Sequence, residues 1–169
     1  MNQTSTRALG AARPVIQGLT VLNLLYAASI VVLLASSFFV AGWPERPLGY
    51  DPVANPQAAA GLRAIMVIGV IAAGIVHTIL RRLLAIVDSV RGGDPFVLHN
   101  ARHLEAIAWS VLAIELLRLA VIAIAVAALE STQLGGFTLA PWLAVLLLFV
   151  LSGVFAQGAR MRADLEGTV

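Results

Sequence analysis

An all-α fold of four membrane-spanning helices, packed as a transmembrane bundle with helical extensions on the cytoplasmic side, is what this sequence predicts on three observations. Of the 169 residues 60% are hydrophobic and only 12% charged, against about 25% charged in an ordinary soluble domain. Apolar runs of about 20 residues, the length that crosses a ~30 Å hydrocarbon core as a helix, occur four times, at about 15–41, 58–80, 104–129 and 139–158. The arginines gather at alternate ends of these runs, as they do in a chain threaded back and forth through a bilayer.

The first run follows Pro14, a residue suited to a first helical turn, and stops before Gly42, Trp43 and Pro44, with Trp43 placed as an interfacial anchor. Its length exceeds the roughly 7–15 apolar residues of a signal-peptide core, so it is expected to remain as a span. Pro44, Pro47, Pro52 and Pro56 then mark a proline-stiffened external loop without helical periodicity. The second run continues past the bilayer as an amphipathic helix, because Leu80, Leu83, Leu84 and Val87 recur at helical spacing while Arg81, Arg82 and Asp88 fall on other faces. Gly92 and Gly93 end that helix, and Asp94 and Pro95 supply an N-cap acceptor and a first-turn proline for the next one. The third run is separated from the fourth by Gly135 and Gly136, with Pro141 and the interfacial Trp142 opening the fourth, and a short polar helix over 160–166 completes the chain.

The expected organisation is a cytoplasmic segment at 1–14, a membrane domain at 15–160 with a hairpin at 81–103, and a cytoplasmic tail at 161–169. Arg7, Arg13, Arg81, Arg82, Arg91, Arg102, Arg160 and Arg162 share one side of the bilayer in this topology, whereas Arg46 and the nearby Arg63 hold the other. The positive-inside rule then puts both termini in the cytoplasm.

Composition also excludes classes of function. Without cysteine there is no disulfide, thiolate nucleophile, Cys-ligated zinc or iron–sulfur cluster. The net charge is +2, and no Lys/Arg block of the kind that binds nucleic acid occurs, so direct nucleic-acid binding is not expected. Gly92-Gly93-Asp94 lacks the leading glycine of the intramembrane aspartyl protease motif, Leu151-Ser152-Gly153 is no nucleophile elbow, and no phosphate loop or His-Glu-x-x-His sequence is present. An enzyme is not expected, nor is a cofactor. His77, His99 and His103 suggest zinc or haem ligation geometrically, but no further ligands stand at characteristic spacing and no metal is expected.

Glu115 and Arg118 are the residues most out of place. Counting from Leu104 at about 1.5 Å per residue, Glu115 lies roughly 16 Å and Arg118 roughly 21 Å into the bilayer, where an unpaired charge costs about 2.5–3.5 kcal/mol. Their i, i+3 spacing lets them pair on a face turned into the bundle, with Asn23 of the first span as a polar partner at comparable depth. Two readings stand: a proton or cation site at Glu115, or a paired charge that locks helix register. Arg63 is close enough to the external surface to snorkel. Gln17, Thr20 and Asn23 form a polar stripe suited to interhelical hydrogen bonds, and Gly61, Gly69/Ala73 and Gly74/Thr78 suit close helix contact, within one chain or in a homo-oligomer.

The stretch from Leu83 to Leu104, with Val87, Gly92-Gly93-Asp94-Pro95-Phe96 and Asn100-Ala101-Arg102-His103-Leu104, resembles the bacterial membrane family DUF2975. So does the end of the chain, with Phe155, Gly158 and Arg162-Ala163-Asp164-Leu165-Glu166-Gly167-Thr168-Val169, although Gly167 stands where similar proteins often carry a bulkier residue. Members of the family are often encoded beside a small helix-turn-helix regulator of the Cro/CI type, so the resemblance implies a transcription factor as membrane partner, and it makes a bacterial inner membrane the expected location. Gly93, Asp94, Pro95, Phe96, Asn100, Arg102 and Leu165 are the candidate docking residues, since the family's recurrent positions gather on the cytoplasmic side and apolar groups there lie outside lipid. The expected function is a regulatory or signalling scaffold in the bilayer; the alternative is a small proton-coupled transporter built on Glu115 and Arg118.

Overall fold

In the computed structural model of the protein the described residues are 3–44, 46–51, 56–93, 97–130 and 138–166, with backbone alone for 3–9, 165 and 166. They form four long α-helices and one short 3₁₀ turn: α1 (Gln3–Phe39), the turn (Arg46–Leu48), α2 (Pro56–Arg91), α3 (Leu98–Leu129) and α4 (Ala140–Glu166). All four helices are long and apolar enough to cross a membrane, and no strand occurs among the described residues.

Helix boundaries depart from the sequence expectation in four places. Pro14 does not open α1 but lies inside it, the helix having begun at Gln3. A proline there removes one N–H and crowds the carbonyl four residues back, which belongs to Gly10. The chain between the first two helices is not wholly irregular, because Arg46 donates its N–H to the Gly42 carbonyl and Gly49 to that of Arg46, closing the 3₁₀ turn. Helix α3 starts at Leu98 with Val97 as its extended N-cap, which makes no side-chain capping bond; Asp94 and Pro95, the expected cap and first-turn residues, lie outside the described residues, as do Gly135 and Gly136. The polar segment after Gly158 is no separate helix but the end of α4. Helix α2 does end at the glycines: Gly93 sits at φ +88°, a left-handed conformation that costs glycine little.

Each helix packs on its neighbour in the chain, α1 on α2, α2 on α3 and α3 on α4, and no other pair of helices is in contact among the described residues. The bundle is therefore open. Its outer helices show this in their burial: α1 buries only Ile16 and Ser37 among its described side chains, and α4 only Val145, Ser152 and Ala159. The α4 residues recur every seven positions, a single seam of the coiled-coil type laid against α3. Helix α3 has neighbours on two sides and buries seven residues, among them Ala101, Leu104, Ile107 and Ala108.

Specific contacts set the register of each pair. Between α1 and α2, Arg63 Nη2 donates to the Ser37 carbonyl at 2.7 Å and Nε to Ser37 Oγ at 3.2 Å, while the guanidinium lies over the Phe38 ring at 4.9 Å. Ser37 is in the last turn of α1, where carbonyls have no intrahelical partner, so Arg63 serves as a cap and not as a free snorkelling cation. Deeper in the pair, Asn23 Nδ2 donates to the Ala73 carbonyl at 3.0 Å. Between α2 and α3, Asn100 Nδ2 donates to Ser89 Oγ at 2.9 Å near one end, and Gly61 meets Ala128 near the other. Between α3 and α4, Trp109 and Phe149 meet edge to face with centroids 5.2 Å apart.

All four helices run past their apolar segments on one side, the arginine-rich side: α1 ahead of residue 15, α2 to Arg91, α3 from Leu98 and α4 to Glu166. On the opposite side α1, α2 and α3 stop close to the ends of their apolar runs, at Phe39, Pro56 and Leu129, and α4 starts with its run at Ala140. At 36 residues α2 alone is about 54 Å long at 1.5 Å per residue, well over the ~30 Å core it crosses.

Among the small residues of α2, Gly61 and Gly69 sit at helix contacts and Gly74 does not. A Cβ at Gly61 would lie 2.6 Å from Ala128 Cβ, and one at Gly69 3.1 Å from Ile30 Cδ1, whereas one at Gly74 meets nothing within 4 Å. Gly61→Ala is expected to push α2 off α3 and lower stability by about 1–3 kcal/mol, while Gly74→Ala leaves it unchanged or raises it slightly through helix propensity. Thermal unfolding of both variants in the same detergent checks this; equal midpoints would show that the close approach at Gly61 is not needed.

Candidate functional site

The most polar point inside the apolar segments is on α3. Glu115 is 5% exposed, and its Oε2 accepts from Arg118 Nε at 2.7 Å, one helical turn away. The bond is short and of the side-chain type that ion pairs form, and it matches two polar groups that lipid would reject one by one. Arg118 remains 30% exposed at its side chain and extends Nη2 to within 3.4 Å of Thr138 Oγ1, just ahead of α4. Helix α3 runs on from Arg118 to Leu129, about 16 Å further by helix rise, so α4 begins well short of the level at which α3 ends. The Arg118 side chain thus joins the buried carboxylate to the mouth of the α3–α4 pair.

Asn23 is not brought to this pair. Its side-chain amide is spent on the Ala73 carbonyl, and among the described residues the α1 and α3 backbones do not pack closely. Between Asn23's helix and Arg118 lies a cavity of about 460 Å³, whose walls include Tyr26 and Ile30 of α1, Met66 and Gly69 of α2, and Leu117 and Arg118 of α3. Among the described residues Arg118 is its one charged wall residue. The remaining polar residues of the α1 stripe divide: Gln17 is exposed, and Thr20 Oγ1 is turned back on the Ile16 carbonyl within its own helix.

The candidate docking residues are placed unevenly. Gly93 is exposed at the end of α2, and Arg102 is exposed beside Glu105 and Arg160 in a cleft between α3 and α4. Asn100 is fully buried and donates to Ser89 of α2, so it holds the α2–α3 hairpin and has no surface to offer a partner. Asp94, Pro95 and Phe96 lie outside the described residues, and Leu165 is described only as backbone of α4.

Two groupings escaped the sequence reading. The Arg63–Ser37 cap joins residues 26 apart in the chain, and nothing local marks them as partners. Arg81, Arg82, His99 and His103 come together on one pocket between α2 and α3; their common position at the arginine-rich membrane boundary was the available signal. His99 and His103 touch edge to face with ring centroids 4.1 Å apart, and among the described residues no set of three His, Asp or Glu side chains converges as a metal site would need.

Glu115→Gln is expected to strand the Arg118 charge and cost about 1–3 kcal/mol or more, the penalty for leaving one partner of a buried bond unmatched. The double change to Gln at 115 and 118 should recover part of that loss. Thermal midpoints of wild type, both single variants and the double variant in one detergent complete the cycle; additive losses would mean that the two side chains do not stabilise each other.

Two comparisons with known proteins find nothing: no curated protein and no solved structure matches the chain. A family model described as "Protein of unknown function (DUF2975)" matches residues 11–169, nearly all of it.

Proposed function

The chain belongs to the DUF2975 family of membrane proteins, and from that premise we propose that it is a regulatory scaffold whose cytoplasmic face holds a small helix-turn-helix regulator. The observation that carries this reading is the one-sided projection of the helices. Four helix ends stand out of the apolar layer together, on the side that also bears eight of the eleven arginines, and the positive-inside rule supports reading that side as cytoplasmic, in a bacterial inner membrane as the family suggests. Packed helix ends offer a surface for a protein ligand, and the family-like sequences include the described ends of α2 and α4 on this side.

A second reading, a proton-coupled transporter, draws on the buried Glu115–Arg118 pair. Beside that pair lies the cavity walled by α1, α2 and α3, but among the described residues no second charged side chain lines it. Proton-dependent solute flux in proteoliposomes, lost in Glu115→Gln, would favour the transporter over the scaffold.

Two outcomes are expected. Single cysteines introduced into this cysteine-free chain at Asp51 or Gln133 should react with an impermeant thiol reagent in intact cells, and one at Gly93 should not; labelling at Gly93 reverses the orientation. Phe96→Asp, or deletion of residues 162–169, should release the co-encoded regulator from membranes while the spans remain inserted. Co-fractionation of regulator and membranes measures this, and a bound fraction unchanged in both variants, or absent in wild type, rejects the scaffold.

A further inference from the structure

A pocket of about 410 Å³ lies between the projecting part of α2 and the first turns of α3, lined by Thr78, Arg81, Arg82, Ala85, His99 and His103. Four of these six side chains are basic and none is acidic. Their positive field is not spent locally. The nearest acid along α2, Asp88, faces Arg13 of α1 at 3.8 Å, and the nearest along α3, Glu105, lines the separate cleft toward α4. Among the described residues neither Arg81 nor Arg82 has a carboxylate partner, and the Nε2 atom of His103 is buried without a hydrogen-bond partner. An imidazole nitrogen without a partner in the chain, beside two guanidiniums without a carboxylate, is a donor set suited to an anion.

We propose that this pocket binds a phosphate group, in the membrane that of an anionic phospholipid headgroup. The paired guanidiniums offer planar forks that match phosphate oxygens two at a time, and the histidine rings, on successive turns of α3, add N–H donors. Position selects the lipid. Arg81 and Arg82 directly follow Leu80, the last residue of the second apolar run; His103 directly precedes the third run at Leu104, and His99 stands one helical turn earlier. The pocket therefore lies at headgroup level on the arginine-rich side, where basic pockets between membrane helices meet anionic lipid. The site stands independently of any regulator bound to the same face.

The test uses the full-length protein, purified in mild detergent and then reconstituted in phosphatidylcholine vesicles with or without phosphatidylglycerol. Wild type should retain phosphatidylglycerol several-fold over its share of the mixture when re-extracted and analysed for bound lipid, and its thermal midpoint should rise with that lipid, as for any ligand that binds only the folded state. Both effects should disappear in the double variant Arg81→Gln/Arg82→Gln and persist in Arg102→Gln/Arg160→Gln, which removes the same charge from the α3–α4 cleft. Inorganic phosphate forms the second arm: a midpoint rise with phosphate alone, lost in the same double variant, keeps the phosphate site and assigns it to a soluble ligand. Retention in wild type with no enrichment over phosphatidylcholine and no response to phosphate overturns the proposal, whether or not the variants fold. An equal loss in both double variants overturns it too, since general surface charge would then explain the binding.

Discussion

Hydrocarbon offers no hydrogen bonds, so every backbone N–H and C=O in the apolar layer has to be satisfied inside its own segment. The rest of the structure depends on that constraint. It makes each long apolar run a helix regardless of its local propensities, and it tolerates Pro14 inside α1 where the run has barely begun. It also treats polar side chains harshly, and those inside the spans answer it in two ways. Thr20, Ser29, Ser36, Thr78, Ser110 and Ser152 turn their hydroxyls back onto carbonyls three or four residues earlier in the same helix. Asn23, Arg63 and Arg118 reach across to a neighbouring helix or its approach, as Asn100 does just outside the third run. Only the second group fixes how helices meet.

Those crossing contacts are distributed one or two to each adjacent pair, and they explain why an open order of helices can still have a definite register. Lipid is as apolar as leucine, so helices in a bilayer are not driven together by hydrophobic burial but by close packing and polar contacts. Arg63 on Ser37 and Asn23 on Ala73 pin α1 to α2 at two depths. Asn100 on Ser89 and Gly61 against Ala128 pin α2 to α3 near its two ends. The α3–α4 pair is held by Trp109 on Phe149, by the α4 seam at Val145, Ser152 and Ala159, and by Arg118 reaching Thr138. The salt bridge of Arg13 with Asp88 joins two half-exposed side chains at 3.8 Å and adds little, as exposed pairs do.

What was legible in the sequence follows the same division. Four spans could be read because run length is a one-dimensional property, and the α2 terminus could be read because Gly93 supplies the left-handed φ that a stop requires. Helix starts were harder. Propensity places no boundary at Gln3, and Pro14 suggested a start that the residues before it overrode. The i, i+3 spacing of Glu115 and Arg118 was readable because both lie on one helix; the reach of Arg118 to Thr138 was not, since it depends on where α4 begins relative to α3. Asn100 was misplaced for a related reason. Its polarity and family-like setting suggested an exposed docking residue, whereas its helical face, which only packing decides, turns it into the α2–α3 contact and buries it fully.

The two sides of the membrane layer are consequently unequal in kind. On one side helices stop near the apolar edge, and the polar chemistry there is capping: Arg63 closes the end of α1, and the backbone N–H of Glu130, at φ 51°, donates to the Ala125 carbonyl to close α3. On the other side the helices continue, carrying basic side chains into the headgroup layer and beyond it, and the charges there are only partly consumed by contacts within the chain. A span needs some positive charge to set its orientation, but orientation alone does not require Arg81, Arg82, His99 and His103 to line one pocket, nor helices that extend several turns past the lipid. Features that neither insertion nor packing demands are where an activity of this protein has room to reside, and they lie on the arginine-rich side. The buried Glu115–Arg118 pair, by contrast, already has a sufficient cause in the cost of leaving either charge alone in hydrocarbon.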